Sequence, residues 1–180
     1  MSIEQISQQI SQLSDDEQSL PPVELWDPPY CGEIDICIKA NGDWYYNGSI
    51  FKRQALVKLF ASVLKKEQDD YFLVTPVEKV KITVEDAPLL ITQWQWLDSD
   101  KRQMQLITNL GDRFVLNQDH PMKLSDEGTL YVNVRRNLYA KVHRNVYYQW
   151  ADLATETEHN DKQVLAFTSA GQQFVLGELE

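Results

Sequence analysis

Thr108-Asn-Leu-Gly-Asp-Arg-Phe-Val-Leu116 returns sixty positions later as Thr168-Ser-Ala-Gly-Gln-Gln-Phe-Val-Leu176, and five of the nine residues are identical. Upstream of each copy, an alternating segment, a polar turn and an apolar helical segment follow one another in the same order. Residues 34–39 begin this series in the first copy, and residues 130–135 begin it in the second. The sequence therefore predicts a duplicated module, and a cleft between two related halves is the natural place for a ligand.

Hydrophobic periodicity indicates the elements of each half. Ile36 and Ile38 alternate with polar residues before Asn41-Gly42, which predicts a β-hairpin. Apolar residues between positions 56 and 64 recur at helical spacing, and the lysines at 65 and 66 suit the end of that helix. Each half is predicted as hairpin, helix, hairpin. We expect an α+β fold of duplicated modules, mostly antiparallel, with short connections rather than parallel crossovers.

Three segments follow from these patterns. Apolar residues step by three or four positions between residues 3 and 13, which predicts an amphipathic helix that ends before residues 14–16. Residues 19–29 are rich in proline and should run extended across the surface. We therefore expect an N-terminal helix and proline-rich arm at 1–29, a first α+β half at 30–118 and a second half at 119–180.

Composition limits the class of protein. The chain has 180 residues, of which 43% are hydrophobic, and only seven glycines and seven prolines, as is typical of a globular fold. Its apolar runs are too short to cross a membrane, and residues 1–13 lack the features of a signal peptide, so we expect a cytoplasmic protein. The spacing of Cys31 and Cys37 matches neither a zinc nor a redox motif, and both are read as reduced thiols.

The charge distribution points to a specific partner. The net charge is −10, which disfavours nucleic acid as a ligand. Residues 1–38 carry eight carboxylates and no Lys or Arg, whereas Arg135, Arg136, Lys141 and Arg144 form a cationic group. One basic face on an acidic protein suggests a specific anionic partner.

Several stretches resemble the bacterial domain-of-unknown-function family 1285 (DUF1285). They are Asn-Gly-Asp-Trp at 41–44 with Gly48, Leu-Val-Lys-Leu-Phe at 56–60, Leu-Val-Thr-Pro-Val-Glu-Lys-Val at 73–80 and Val-Glu-Asp-Ala-Pro at 84–88. The resemblance covers nearly the whole chain after residue 29 and implies no catalytic residues. It implies a duplicated α+β core whose C-terminal half is superficially similar to a pleckstrin-homology-like fold. It also implies a site between the halves for a nucleotide-like molecule, and a role in signal transduction.

One candidate site lies around the Thr-Pro turn of the first half. Lys79 is predicted to clamp a phosphate or carboxylate, while Glu78 or Asp86 would accept hydrogen bonds from ligand hydroxyl or amino groups, beside Thr75. The alternative is a plain Thr-Pro turn followed by a solvated strand with alternating charges.

A second candidate site lies on the polar face of the later hairpin. Arg135, Lys141 and Arg144 with the ring of Tyr139 would suit an anion that carries a flat base. The alternative is that these cations pair with the acidic N-terminal stretch.

Three further residues complete the predicted ligand site. Arg53 opposes the dipole of the helix that it precedes, so a nearby anion or carboxylate would explain it, although a surface arginine is the commoner outcome. Trp44 is expected at a pocket, and Asn109 beside the groove between the halves.

These features favour a non-enzymatic module that senses a small anionic, nucleotide-like molecule between its halves and transmits its presence in signal transduction. A protein-interaction adaptor that uses a sheet face or edge is one alternative. An enzyme with Glu78, Asp86 or Asp112 as carboxylate general base is the other. His120, His143 and His159 lack metal-ligand spacing, and the common nucleotide motifs do not occur, so no metal or cofactor is expected.

Overall fold

The structure is a computed structural model that describes residues 2–13 and 20–180. The chain divides into two compact units, Met1–Asp86 (unit 1) and Ala87–Glu180 (unit 2). The predicted boundary between residues 118 and 119 is therefore corrected to 86/87. Strand pairing gives the reason, because a cut at 118/119 would run through one continuous six-stranded sheet of unit 2.

The described part of unit 1, residues 2–13 and 20–86, contains two α-helices, a short 3₁₀ turn and six strands. These are α1 (Ile3–Leu13), the 3₁₀ turn (Val23–Leu25), β1 (Tyr30–Ile38), β2 (Trp44–Tyr46), β3 (Ser49–Ile50), α2 (Gln54–Ser62), β4 (Leu64–Glu67), β5 (Asp70–Val74) and β6 (Lys79–Val84). The strands form one sheet, the first sheet, in the order β3-β2-β1-β6-β5-β4.

The apolar periodicity of unit 1 explains its packing. Ile6 and Ile10 on α1 are 1% exposed, and this helix packs against α2. The predicted end of α1 at 14–16 lies outside the described residues. On β1, Ile36 and Ile38 are fully buried, and Gly42 adopts a φ of +90° in the turn that follows. This left-handed conformation is one that glycine tolerates at little cost.

The helix α2 ends earlier than its sequence pattern predicts. We expected it to include Leu64 and to finish at Lys65 and Lys66, but it stops at Ser62, and the next residues form the edge strand β4. Leu64 lies opposite Leu73 of β5 and is fully buried. Pairing with β5 satisfies the backbone groups of β4 while its apolar side chain enters the core, and this tertiary gain outweighs local helix propensity.

Unit 2 contains nine strands and one helix. These are β7 (Leu89–Trp96), β8 (Met104–Thr108), β9 (Arg113–Val115), β10 (Met122–Leu124), β11 (Leu130–Arg135), β12 (Leu138–Val142), α3 (Arg144–Leu153), β13 (Thr155–His159), β14 (Lys162–Ser169) and β15 (Gln172–Glu178). The second sheet has the order β10-β11-β12-β7-β8-β9, and the third has the order β13-β14-β15.

The two six-stranded sheets have the same topology. Each consists of two three-stranded antiparallel meanders, and the first strand of one meander pairs with the last strand of the other. That central pair is parallel in both sheets, β1 with β6 and β12 with β7. The predicted α+β, duplicated and mostly antiparallel architecture is confirmed, but the expectation of no parallel pairing is wrong. Each parallel pair joins the two meanders of its sheet. The two paired strands are distant in the chain, so the pairing is set by tertiary structure and not by a local turn.

The repeated nonapeptide does not relate the two units. Its first copy forms the β8–β9 hairpin and its second copy forms the β14–β15 hairpin, and both hairpins lie in unit 2. The duplication across the units is one of sheet topology, and the repeat is a second likeness inside unit 2. The α3 helix anchors the third sheet, since Trp150 is fully buried with its ring centroid 5.1 Å from that of Phe167.

None of the helices in the described part of the chain is long and apolar enough to cross a bilayer.

Candidate functional site

The Thr-Pro turn of unit 1 is held by its own side chain. Thr75 is 1% exposed, and its hydroxyl accepts hydrogen bonds from the backbone N–H of Val77 (3.4 Å) and Glu78 (3.1 Å). The Thr75 N–H donates to the Glu78 carbonyl at 2.8 Å. These hydrogen bonds agree with the alternative to a ligand site, which is a plain Thr-Pro turn. Glu78 Oε2 is buried, and no described residue hydrogen-bonds to it.

Lys79 is engaged in a compact ion-pair cluster. Its ammonium lies 2.9 Å from Glu67 Oε2, and Lys65 lies 3.3 Å from the other oxygen of the same carboxylate. Lys79 also lies over the ring of Phe72, 4.9 Å from the centroid. Hydrogen bonding to Lys79 lowers the pKa of Glu67, against the opposing effect of burial. A ligand anion at Lys79 would therefore have to compete with an internal carboxylate.

The other predicted residues of unit 1 have different surroundings. Trp44 is 2% exposed and packs in the core, with its ring centroid 6.5 Å from that of Phe51. Arg53 is exposed at the start of α2, beside a shallow apolar pocket of about 270 Å³. Asp86 ends unit 1, and its charge adds to burial in raising the pKa of Tyr71. Trp44 is therefore a core residue, whereas Arg53 lies on the surface.

In unit 2, Arg135 is part of a half-buried network. One guanidinium nitrogen donates to Asp112 Oδ1 at 2.6 Å, and the other carboxylate oxygen accepts from the Thr108 hydroxyl at 2.8 Å. Burial lowers the pKa of the Arg135 guanidinium, and the adjacent carboxylate opposes this effect. The side chain of Asn109 accepts from the Leu90 N–H at 3.0 Å and holds the β8–β9 turn against β7. Both Asp112 oxygens are occupied by internal donors, which makes it a poor general base.

The outward face of the β10–β12 meander carries two of the remaining predicted residues, Tyr139 and Lys141, whereas Arg144 is the first residue of α3. Tyr139 and Lys141 alternate with buried residues on β12, so both side chains point away from the core. The ammonium of Lys123 lies 4.3 Å from the centroid of the Tyr139 ring. Lys141 lies directly opposite Tyr131 on β11. Cations and tyrosines are therefore interleaved on this face.

A pocket of about 260 Å³ opens where β11 begins, β12 ends and α3 starts. We call it the cationic pocket. Its lining consists of residues 128–130, Lys141, Val142, Arg144, Tyr147 and Tyr148. Two of the eleven predicted ligand residues, Lys141 and Arg144, meet here, and both are cations.

The sequence interpretation did not select the two tyrosines of this pocket. Arg144, Tyr147 and Tyr148 are spaced i, i+3 and i+4, so they lie on one side of α3. This spacing is visible in the sequence, and it could have identified the tyrosines once Arg144 was chosen. Within residues 2–13 and 20–180, no group of three or more His, Cys, Asp or Glu side chains is arranged to hold a metal ion.

Comparison with known proteins places the chain in a family. Residues 21–87 match the N-terminal domain, and residues 88–176 the C-terminal domain, of DUF1285, described as a domain and a protein of unknown function. The chain belongs to the DUF1285 family. The junction of the two DUF1285 domains lies within one residue of the boundary between the two units.

Two solved DUF1285 structures are similar to this chain. A family protein from Silicibacter pomeroyi DSS-3 has 32% identity and a TM-score of 0.83, over 99% of this chain and 96% of that one. Another from Shewanella baltica OS155 has 37% identity and a TM-score of 0.55, over 65% of this chain and 90% of that one. No functionally curated protein matches the chain. Membership of DUF1285 thus supports the fold and assigns no activity.

Proposed function

We propose that this DUF1285 protein is a non-enzymatic, cytoplasmic module that binds a small anionic, nucleotide-like molecule in the cationic pocket and signals its presence to a partner. The observation that carries the proposal is the combination of Lys141, Arg144 and two tyrosines in one pocket of a chain with a net charge of −10. Cations gathered in one concavity of an acidic protein create a local positive potential that selects an anion.

The chemistry of the lining supports this ligand class. Arg144 presents a planar fork of donors that matches phosphate or carboxylate geometry, while Lys141 provides a compact positive charge. Tyr148 is 59% exposed and Tyr147 is half-buried, so their rings offer a surface on which a flat base can stack. The Thr129 hydroxyl also lines the pocket and can accept or donate a further hydrogen bond.

The size of the pocket restricts the ligand. Sites for drug-sized molecules enclose about 300–1,000 Å³. At about 260 Å³ the cationic pocket is smaller, which favours a nucleoside monophosphate or a simpler phosphate over a dinucleotide.

Thermal-shift and calorimetric titrations with inorganic phosphate and nucleoside monophosphates test this proposal. We expect a saturable rise in melting temperature that weakens as salt is added, because the attraction is electrostatic. Arg144→Gln should weaken binding at least about tenfold, since it removes a charge-assisted pair of hydrogen bonds.

Arg53→Gln is the matched control, because Arg53 is also an exposed arginine at the start of a helix. Binding should be unchanged in this variant. Loss of binding in Arg53→Gln with retention in Arg144→Gln would move the site to unit 1, and an absence of binding by every phosphate would refute the proposal.

The adaptor function remains the second candidate because of the apolar pocket on α2. Ala55, Leu56 and Leu59 line it together with Arg53. Leu59→Glu should abolish capture of a partner protein under this alternative and leave phosphate binding intact. If the parent chain and Leu59→Glu capture the partner protein equally well, the support for an adaptor surface on α2 is removed.

A further inference from the structure

The third sheet of unit 2 contributes to two pockets that are chemically unlike the cationic pocket. One encloses about 310 Å³ and lies between the edge strands β10 and β15, and the other encloses about 320 Å³ between β7, the end of α3 and the third sheet. Gln173 lines both pockets. We call the two together the neutral trough.

None of the described residues that line the neutral trough is Asp, Glu, Lys or Arg. Charged residues make up 24% of the chain, so this composition is a distinctive feature of the surface. A lining without Lys or Arg has no fixed cation to select a phosphate or a nucleic acid, and a lining without carboxylates has no anion to select a cation. The ligand that suits this trough is uncharged.

In the pocket between β7, the end of α3 and the third sheet, most of the polar side chains carry hydroxyls. Thr155 and Thr157 are two residues apart on β13, so they project from the same face of the third sheet. Thr155 lies opposite Ala166, two residues before Thr168 on β14, which places Thr168 on that face as well. Gln173 lies opposite Thr168 on β15. Three hydroxyls and one amide therefore line a single concave surface.

The adjoining pocket adds amides and an imidazole. Asn117, Gln118 and Gln172 line it, and the ring Nδ1 of His159 lies 2.9 Å from Gln173 Oε1. Hydroxyl and carboxamide groups each combine donor and acceptor capacity, whereas ammonium groups only donate and carboxylates only accept. Sugar hydroxyls have the same dual capacity, so such a lining can satisfy them without charge.

Trp96 supplies an aromatic wall. Its indole lines the pocket and is half-buried, in an edge-to-face arrangement with Trp94 at 5.9 Å. A pyranose ring has an apolar C–H face that packs on an indole, while its hydroxyls point to the sides. A phosphate group has no apolar face that could pack on this indole.

From this chemistry we infer that the neutral trough of unit 2 binds an uncharged oligosaccharide, with Trp96 stacking on a sugar ring and Thr157 and Gln173 hydrogen-bonding its hydroxyls. This site is separate from the cationic pocket, and the inference does not depend on the proposed function.

Titration of the full chain with maltotriose, cellotriose and chitotriose tests the inference. We expect millimolar binding of at least one of them, seen by saturation-transfer NMR and by a change in tryptophan fluorescence. Trp96→Ala should weaken it at least about tenfold through loss of the stacking surface, and Trp96→Phe should recover part of the affinity. Thr157→Val preserves the side-chain shape, so it should fold normally and weaken binding about two- to tenfold.

Thr92→Val is the matched control, because Thr92 is an exposed strand threonine outside both pockets. It should bind like the parent chain, and so should Arg144→Gln, which alters only the cationic pocket. The inference is overturned if no oligosaccharide binds up to its solubility limit, if an acidic oligosaccharide binds more tightly than its neutral counterpart, or if binding survives unchanged in both Trp96→Ala and Thr157→Val.

Discussion

The two copies of the nonapeptide fold into similar hairpins with different polar chemistry. Their shared leucines have the same role, since Leu116 is fully buried and Leu176 is 1% exposed. The shared threonines differ, because Thr108 is 3% exposed whereas Thr168 is exposed in the neutral trough. The apolar positions of the repeat specify the hairpin, and the polar positions are free to diverge.

The first copy uses its polar positions for an ionic network. Thr108 accepts from the N–H of Leu110 and of Asp112, and Asp112 pairs with Arg135 of β11. In the second copy a glutamine, Gln172, replaces the aspartate and is exposed. The first hairpin is thereby fixed to the rest of its sheet by charge, while the second presents neutral groups to a pocket.

The largest expected difference between the copies concerns their phenylalanines. Phe174 is 4% exposed and stacks on Phe167 at 5.8 Å, whereas Phe114 is half-buried beside His120. Phe174→Ala should lower the free energy of unfolding by about 3–5 kcal/mol, the cost of emptying a core site. Phe114→Ala should cost about half as much, because less apolar area leaves water there on folding.

Denaturant unfolding of both variants measures this pair. Equal losses, or a larger loss for Phe114→Ala, would contradict the view that the second hairpin is the one inserted in the core.

The ionic network should give the next largest effect. Asp112→Ala leaves the guanidinium of Arg135, whose side chain is 12% exposed, without this carboxylate, and we expect a loss of about 2–3 kcal/mol. Gln172→Ala, at the equivalent position, should change stability by less than about 0.5 kcal/mol. A double-mutant cycle with Arg135→Met isolates the pair, and additive losses would show that the contact does not stabilise unit 2.

Much of this fold follows from the sequence, and the misses have physical causes. Alternation and turn residues predicted the hairpins, because one buried face imposes a period of two. The parallel pairs β1–β6 and β7–β12 escaped prediction, since which distant strands meet is a tertiary matter that no local period records. The repeat misled us about the domain boundary, because a hairpin pattern can recur inside one unit.

The site was less predictable than the fold. Lys79 and Arg135 carry the charge that a ligand site needs, but each faces a carboxylate distant in sequence, Glu67 and Asp112. A sequence shows the cation and not its partner. The positive charges of Lys141 and Arg144 are evident from the sequence. The pocket around them is not, because it depends on where α3 begins.

The residue after each repeat threonine should give a smaller effect. Ser169 is fully buried, donates to the Leu116 carbonyl at 2.7 Å and accepts from the Met104 N–H at 3.0 Å, so it joins the third sheet to the second. Ser169→Ala should cost about 1–2 kcal/mol, because it leaves backbone groups without this partner. Asn109→Ala should cost a similar amount through the bond to Leu90, and a loss confined to Asn109 would show that only the first hairpin is anchored in this way.

The turn glycines should give the smallest effect of the four. Ala170 and Gly171 have φ values of +49° and +75°, a left-handed pair that suits a two-residue hairpin turn. A Cβ at Gly171 would meet no atom within 4 Å, so the cost of Gly171→Ala comes from φ alone. We expect about 1 kcal/mol, and less for Gly171→Asn, because asparagine tolerates this conformation better than alanine. Gly111, with a φ of +91°, should show the same ranking in the first copy. Thermal denaturation of the alanine and asparagine variants of Gly111 and Gly171 measures these costs. If the alanine variant of either glycine is more stable than the asparagine variant, the turn changes its conformation instead of retaining a positive φ.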